Sequence, residues 1–209
     1  MNLTFSRRAK LQGIEHNTEF ERRIKRGDKI HTIRKGDRWN PGMKIHFYIG
    51  TPRNPSSDPQ RFFVNLGVAE FWASPYSTGK KGFRINSKRD LFDKRLSLFD
   101  PPNTDYYLPV CAATEKIIMR NLRGEWPTVQ VGRKMLTASE IVTLSQNDGF
   151  ELVEDFFDWF RKPVRVIAYW SDVKGKHVYK NEVPDEFEGQ IVHWTTHLYN
   201  PETANVLKV

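Results

Sequence analysis

The stretch Gly27-Asp28-Lys29-Ile30-His31-Thr32-Ile33-Arg34 follows a short basic helix and precedes an apolar strand, and Arg38-Trp39-Asn40-Pro41-Gly42 comes shortly after it. A lysine three residues before a threonine can act as the base for a nucleophilic hydroxyl. In a straight strand the two side chains would face opposite sides, so this chemistry requires a turn at Lys29, which Gly27-Asp28 favours. Arg34 and Arg38 add planar, permanently charged groups suited to phosphate or carboxylate. The stretch therefore predicts anion binding and chemistry in one small region.

The pattern G-x-K-x-x-T-I-R, with N-P-G soon after it, resembles the opening motif of the ASCH domain, a family of the PUA-like superfamily. Two later stretches match the same family in the same order: Asn147-Asp148-Gly149-Phe150, with the aromatic run 155–160, and Gly189-Gln190-Ile191-Val192-His193-Trp194-Thr195. The resemblance implies an α+β fold built as a PUA-like β-barrel of ASCH type, flanked by short helices. It also implies an association with RNA and modified nucleosides, which is typical of that superfamily.

The predicted catalytic residues are similar to those of the small N4-acetylcytidine amidohydrolases of this family. Those proteins use a lysine and a threonine at the spacing of Lys29 and Thr32, with an acidic residue from a later helix region. Asp148 stands where their pattern has glutamate, so the charge is kept but the reach is one methylene shorter. The resemblance thus implies Lys29, Thr32 and Asp148 as the catalytic set. The alternatives are a solvated lysine, a strand threonine, and an aspartate that bonds its own backbone in a helix-ending turn.

Three further residues are predicted to contact a substrate or a nucleic acid, because they flank the proposed pocket: Arg34, Arg38 and Trp39. The two arginines would bind phosphate or a base edge, and their alternative is ordinary surface charge. Trp39 would be either a stacking platform for a base or a core residue. Both alternatives stay open at the level of the sequence.

Composition narrows the class of partner. The chain has 209 residues, a formal net charge of +8 and 38% hydrophobic residues, of which many are aromatic. A basic balance favours nucleic acid, nucleotides or another anionic surface. A single cysteine, Cys111, excludes a disulfide within the chain and a zinc site made of several thiolates. We expect no metal and no cofactor, since the histidines show no metal-binding pattern. Without a signal-like or bilayer-length apolar run, we expect a cytoplasmic protein that binds no membrane.

Periodicity and turn residues predict the elements of one domain spanning residues 1–209, with residues 74–126 as an insertion. The predicted strands are 2–6, 43–49, two around Gly132, a hairpin of 164–170 with 176–179, and a central last strand 190–196. The predicted helices are 18–26, 115–122, one that starts at Thr137 with Glu140 at capping-box spacing, and 151–161.

These observations support three functions. The leading one is recognition of a nucleic acid, with RNA favoured over DNA, or of a modified nucleoside, through a basic cleft at residues 29–39. The second is hydrolysis of an N-acyl amide on a cytidine-like base by Lys29, Thr32 and Asp148. The third is an accessory interaction protein whose site is degenerate. The substrate and the oligomeric state are left open.

Overall fold

Strands dominate the described part of this protein, and three short helices accompany them there. The computed structural model describes residues 2–6, 8–11, 14–50, 60–62, 71–73, 85–87 and 108–207. The helices are α1 (Phe20–Arg26), α2 (Ala138–Asn147) and α3 (Val153–Phe160). The strands are β1 (Asn2–Phe5), β2 (Arg8–Leu11), β3 (Ile14–Asn17), β4 (His31–Lys35), β5 (His46–Ile49), β6 (Gln60–Phe62), β7 (Phe71–Ala73), β8 (Ile85–Ser87), β9 (Leu108–Pro109), β10 (Ala113–Arg120), β11 (Thr128–Val131), β12 (Lys134–Met135), β13 (Val164–Ser171), β14 (Lys176–Glu182), β15 (Phe187–His193) and β16 (Asn205–Val206).

The largest sheet carries the predicted site on its edge strand. Its order is β12-β11-β10-β15-β4, and β16 also pairs with β10. The pairing of β4 with β15 is antiparallel and sets Thr32 opposite Val192 and Arg34 opposite Gln190. Because side chains alternate along a strand, Thr32 and Arg34 lie on one face of this sheet and His31 lies on the other. This alternation decides which polar groups can share a cavity.

The remaining strands of the described ranges form four smaller sheets. Two are three-stranded, with orders β1-β5-β6 and β8-β7-β9, and two are the hairpins β2-β3 and β13-β14. Within β1-β5-β6, the pairing of β1 with β5 is parallel. The mixed α+β class is therefore confirmed. The predicted barrel is not found in the described ranges, where none of the sheets closes on itself.

Aromatic side chains fill much of the core between the main sheet, β1, β5 and the helices. Trp39 and Trp194 are among the largest fully buried side chains. The rings of Phe47 and Trp194 meet edge to face at 5.1 Å between centroids, and those of Phe20 and Phe150 at 5.8 Å. Such contacts add to the free energy gained by removing the rings from water.

Several predicted elements are confirmed. Gly27 ends α1 in the left-handed conformation (φ 85°). Thr137 caps α2 through the predicted capping box with Glu140. Strands are found on both sides of Gly132, and the hairpin β13-β14 is present with its turn at residues 172–175. β15 is central as predicted, although β16 follows it in the chain.

The helix predicted at residues 115–122 is wrong, because residues 113–120 form strand β10 of the main sheet. The buried Ile117 and Met119 alternate with the more exposed Lys116, Ile118 and Arg120, which is the period of a strand. The predicted insertion 74–126 falls mainly on residues outside the described ranges. Its last part includes β10, which pairs with both β11 and β15.

Candidate active site

The chain turns sharply between α1 and β4, and this turn positions Lys29. After Gly27 closes the helix, the backbone N–H groups of Asp28 and Lys29 both bond the carbonyl of Arg23, at 2.9 and 3.2 Å. Strand β4 starts only at His31, so the alternation of side chains along that strand does not determine the direction of the Lys29 side chain. The turn that the predicted chemistry requires is therefore present.

Hydrogen bonds at the end of α2 and along the edge of β4 fix the position of Asp148. Its N–H bonds the carbonyl of Leu144 at 3.0 Å, as expected for the last turn of a helix. The N–H of Ile30 bonds the carbonyl of Asn147 at 3.0 Å, and the N–H of Ile33 bonds the Asp148 side chain. The edge strand thus holds the turn after α2 against the turn after α1.

Lys29 and Asp148 form a buried pair. Lys29 Nζ donates to the Asp148 carboxylate and to its backbone carbonyl, and only 1% of the Lys29 surface is exposed. Burial lowers the pKa of Lys29 to about 8, against the attraction of Asp148, which raises it. Burial also raises the pKa of Asp148, while the Lys29 ammonium opposes that rise. Both shifts ease transfer of the proton from amine to carboxylate, so Lys29 can be a neutral base near physiological pH.

A cavity of about 380 Å³ opens beside this pair. Thr32 and Arg34 reach it from one face of β4, and Lys29 and Asp148 reach it from the two turns. Its apolar wall consists of four rings, those of Phe5, Phe20, Phe150 and Trp159. The volume falls in the range of sites for small ligands, and aromatic walls suit a planar ligand. The structure thus brings all three predicted catalytic side chains into one cavity.

Arg34 contributes a buried cation to the same cavity. Burial lowers its pKa to about 10, which leaves the guanidinium charged at neutral pH. One of its nitrogens donates to the carbonyl of Thr4 at 2.7 Å, and its carbon lies 5.1 Å from the centre of the Phe5 ring. Its Nε is buried without a hydrogen-bond partner in the described part of the protein. A buried donor without an acceptor lowers the stability of the folded protein. An acceptor atom of a ligand that bonded Arg34 Nε would remove this cost.

The other two predicted binding residues lie away from the cavity. Arg38 is exposed and does not line it. Trp39 is 1% exposed, and its backbone N–H and carbonyl bond the amide of Gln190, at 2.9 and 3.2 Å. The prediction of Trp39 as a stacking platform is therefore wrong, because its ring is enclosed by the core and has no face for a base. The predicted basic cleft at residues 29–39 is not one continuous surface.

A buried polar network lies on the other face of β4, and sequence reasoning missed it. His31 Nε2 lies 2.9 Å from the Tyr199 hydroxyl, which also accepts a hydrogen bond from Asn147 Nδ2 at 2.8 Å. Either Tyr199 or His31 is the donor in this contact, according to the His31 tautomer. His31 Nδ1 in turn lies 3.9 Å from the Asp148 carboxylate. Burial holds the pKa of His31 well below its ordinary value, so the ring is neutral.

Glu115 and His193 extend this network across the sheet. The Glu115 carboxylate accepts from the backbone N–H of Tyr199 at 3.0 Å and of Asn200 at 2.5 Å. His193 Nε2 lies 2.9 Å from the same carboxylate. Although burial alone would raise the pKa of Glu115, these partners lower it below the ordinary value. Glu115 is therefore a buried anion that fixes the segment carrying Tyr199.

Comparison with protein-family models, curated proteins and solved structures finds no match for this chain. Within the described residues, no group of three or more His, Cys, Asp or Glu side chains is arranged to hold a metal ion. None of the helices in those ranges is long and apolar enough to cross a bilayer. The site must therefore be interpreted from its own geometry and chemistry.

Proposed function

We propose that the protein hydrolyses an N-acyl amide on the exocyclic amine of a cytidine-like base, using Lys29, Thr32 and Asp148. The observation that carries the proposal is the state of Lys29. A lysine whose pKa is lowered to about 8 contacts a carboxylate and shares a small cavity with a hydroxyl. Amide hydrolysis through a covalent intermediate uses these three groups together: a nucleophile, a base poised near neutral pH, and a group that orients the base.

The reaction follows from these roles. The Thr32 hydroxyl oxygen attacks the acyl carbon while its proton passes to the Lys29 amine. Collapse of the tetrahedral intermediate breaks the C–N bond, and the Lys29 ammonium returns the proton to the leaving exocyclic amine. Water, deprotonated by Lys29, then attacks the threonine ester. The bond from the acyl carbon to the Thr32 oxygen breaks, the Lys29 ammonium returns the proton to that oxygen, and the carboxylic acid is released. Asp148 orients Lys29 and stabilises its ammonium form, and Arg34 offsets negative charge that develops on the carbonyl oxygen.

The wall of the cavity supports a base as the substrate. The rings of Phe20, Phe150 and Trp159 lie 5.7 to 5.9 Å apart and line the cavity together, with Lys29 Nζ 4.8 Å from the centre of the Phe20 ring. The buried Arg34 Nε offers a donor to a carbonyl oxygen of the base or acyl group. The resemblance to ASCH proteins supports the same chemistry. On the same resemblance, we propose that the chain as a whole has the fold of a PUA-like barrel.

The test is release of cytidine from N4-acetylcytidine, followed by chromatography. Thr32→Ala should abolish turnover, since the attacking atom is lost, and Thr32→Ser should retain part of the rate. Thr114→Ala is the matched control, because Thr114 is a buried threonine on the same face of the main sheet, two strands away and outside the cavity. Turnover that survives in Thr32→Ala would refute the proposed nucleophile.

A second candidate is recognition of the same modified nucleoside without turnover, as part of a protein that binds RNA. Lys29 also bonds the backbone carbonyl of Asp148 and so stabilises the end of α2 regardless of catalysis. The aromatic lining of the cavity and the buried Arg34 suit a bound base without any reaction. Calorimetric titration with N4-acetylcytidine separates the two candidates. Binding without release of cytidine, in the wild type and in Thr32→Ser alike, would establish the second.

A further inference from the structure

The hairpin β13-β14 is the most apolar exposed feature in the described part of the protein. Its two strands pair with each other and with no other strand in those ranges. Twelve large apolar side chains are exposed in the same ranges, and six of them lie on this hairpin: Val164, Ile167, Tyr169, Trp170, Val173 and Tyr179. An exposed cluster of this kind marks an interaction surface more often than a solvated one.

The aromatic side chains of one hairpin face form a continuous row. Trp170 pairs with His177 across the strands and Ile167 pairs with Tyr179, with a bulge between Ile167 and Tyr169 that keeps these pairs on one face. The ring centroids of Trp170 and His177 are 4.9 Å apart, and those of His177 and Tyr179 are 6.4 Å apart. Trp170 remains 52% exposed and Tyr179 44%. The row thus presents ring faces and edges to solvent.

Cations accompany the rings. The Arg165 guanidinium lies 3.9 Å from the centre of the Tyr179 ring and extends the row by one planar group. Lys174 adds a positive charge at the turn, whereas Lys176 and Lys180 alternate with His177 and Tyr179 along β14 and lie on the opposite face. The hairpin carries only two carboxylates, Asp172 and Glu182, and Glu182 is bonded by Arg123 at 2.7 Å and Lys180 at 3.2 Å. The net field of the hairpin is positive, which fits a polyanion.

We infer that this hairpin binds single-stranded nucleic acid. Unpaired bases stack on Trp170, His177 and Tyr179. Arg165 and Lys174 bind the phosphates next to these bases. Aromatic rings with adjacent cations are the chemistry of strand binding without sequence readout. A duplex would not fit, because its bases are already stacked and paired. The inference is independent of the cavity, although the two are joined in the chain: Trp159 lines the cavity, and Lys162 Nζ lies 3.4 Å from the centre of its ring, two residues before β13.

The experiment measures fluorescence anisotropy of a labelled single strand of about twelve nucleotides, as RNA and as DNA, with the full chain. Trp170→Ala and Tyr179→Ala should each weaken binding by about fivefold or more. Tyr169→Ala is the matched control, because Tyr169 is 60% exposed but pairs with Val178 on the opposite face. It should change affinity less than about twofold. Arg165→Gln with Lys174→Gln should flatten the salt dependence, by ~0.7 in log–log slope for each phosphate that is no longer neutralised.

Several outcomes would overturn the inference. One is equal loss in Tyr169→Ala and Trp170→Ala, and another is binding to a duplex as tight as to either single strand. A third is binding to anionic phospholipid vesicles with none to the oligonucleotide. A fourth is a dimer in solution that Trp170→Ala dissociates without any effect on oligonucleotide binding. Thr32→Ala should bind the strand like the wild type, so failure here is distinguishable from failure of the amidohydrolase proposal.

Discussion

Lys29 Nζ donates hydrogen bonds to both the carboxylate and the backbone carbonyl of Asp148, a residue 119 positions further along the chain. The contact joins the turn after α1 to the turn after α2, so it stabilises the fold and shapes the cavity at the same time. Replacing Lys29 would remove both effects together. Substitutions of the groups around Lys29 separate the effect on the fold from the effect on the cavity. Such substitutions alter the proton affinity or the packing of Lys29 and leave the lysine in place.

The rate of amide hydrolysis should rise with pH through an apparent pKa near 8. Lys29 accepts the proton of Thr32 only as a neutral amine, and burial lowers the pKa of Lys29 to about 8. At pH 7 about one-tenth of the molecules then carry the neutral amine, and the fraction approaches one above about pH 9. The measurement is kcat/KM between pH 6 and 10. A flat profile over this range would contradict the role of Lys29 as base.

Asp148→Asn should move that rising limb to lower pH. The carboxylate attracts the Lys29 ammonium and raises the pKa of Lys29, so its removal lets burial lower that pKa further. The maximal rate should also fall, since the amide orients Lys29 less strongly than a carboxylate does. If Asp148 were only structural, the substitution would reduce the rate without displacing the limb, and the pH profile therefore tests its proposed role directly.

Asp148→Glu should lower both stability and activity. The aspartate already reaches Lys29 directly, so its shorter side chain leaves no gap for another methylene to close. The side chain is buried, and extra volume in a packed site costs about 1–3 kcal/mol. Urea unfolding and the hydrolysis assay check the two effects. Higher activity in Asp148→Glu would show instead that the aspartate is too short for catalysis.

Local patterns predicted those parts of the site that neighbouring residues determine. The turn at Lys29 follows from Gly27 at the end of a helix, and the joint position of Thr32 and Arg34 in the cavity follows from strand alternation. The approach of Asp148 rested on the order of motifs in a resembling family. Nothing in the spacing of Lys29 and Asp148 by itself indicates that two helix ends meet at the edge of β4.

The remainder could not be predicted, because it depends on strand register. His31, His193 and Glu115 share one face of the main sheet only through the pairings of β4 with β15 and of β15 with β10. Because the sequence pattern predicts a helix at residues 115–122, strand β10 is missing from the predicted sheet, and the contacts of Glu115 with His193 and Tyr199 could not be predicted. Trp39 shows a different limit: a tryptophan beside two arginines has the same sequence pattern whether its ring is buried or exposed.

Gly149→Ala should destabilise the protein by more than the ~1–2 kcal/mol that the left-handed conformation of Gly149 alone would cost. Gly149 has φ +91°, and an added Cβ would lie 3.2 Å from Lys29 Cδ and 3.3 Å from a Phe20 ring atom. Gly36→Ala is the matched control: Gly36 has φ +80°, and its Cβ would meet no atom within 4 Å. Urea unfolding of both variants isolates the packing contribution. Equal losses would show that the contact with Lys29 carries no strain.

Glu115→Gln should destabilise the fold by about 3 kcal/mol, because it breaks a buried ionic site and leaves its partners in place. The carboxylate accepts from the N–H groups of Tyr199 and Asn200 and lies 2.9 Å from His193 Nε2. Glu188→Gln is the control, since Glu188 is exposed and bonds Lys116 at 2.7 Å on the surface. That change should leave the unfolding free energy almost unchanged, because an exposed ion pair contributes little to stability.

The loss in Glu115→Gln should also depend on pH in a defined direction. Folding lowers the pKa of Glu115 below 4.5, so the folded protein binds its proton less tightly than the unfolded chain does. The stabilisation from the ionised carboxylate is therefore complete above pH 4.5 and is lost as the pH falls through the lower, folded value. Glutamine does not titrate. The difference in unfolding free energy between wild type and Glu115→Gln should be constant near neutral pH and should shrink under acid conditions. A difference that stays constant down to the pH of acid unfolding would mean that the partners of Glu115 require its shape and not its charge.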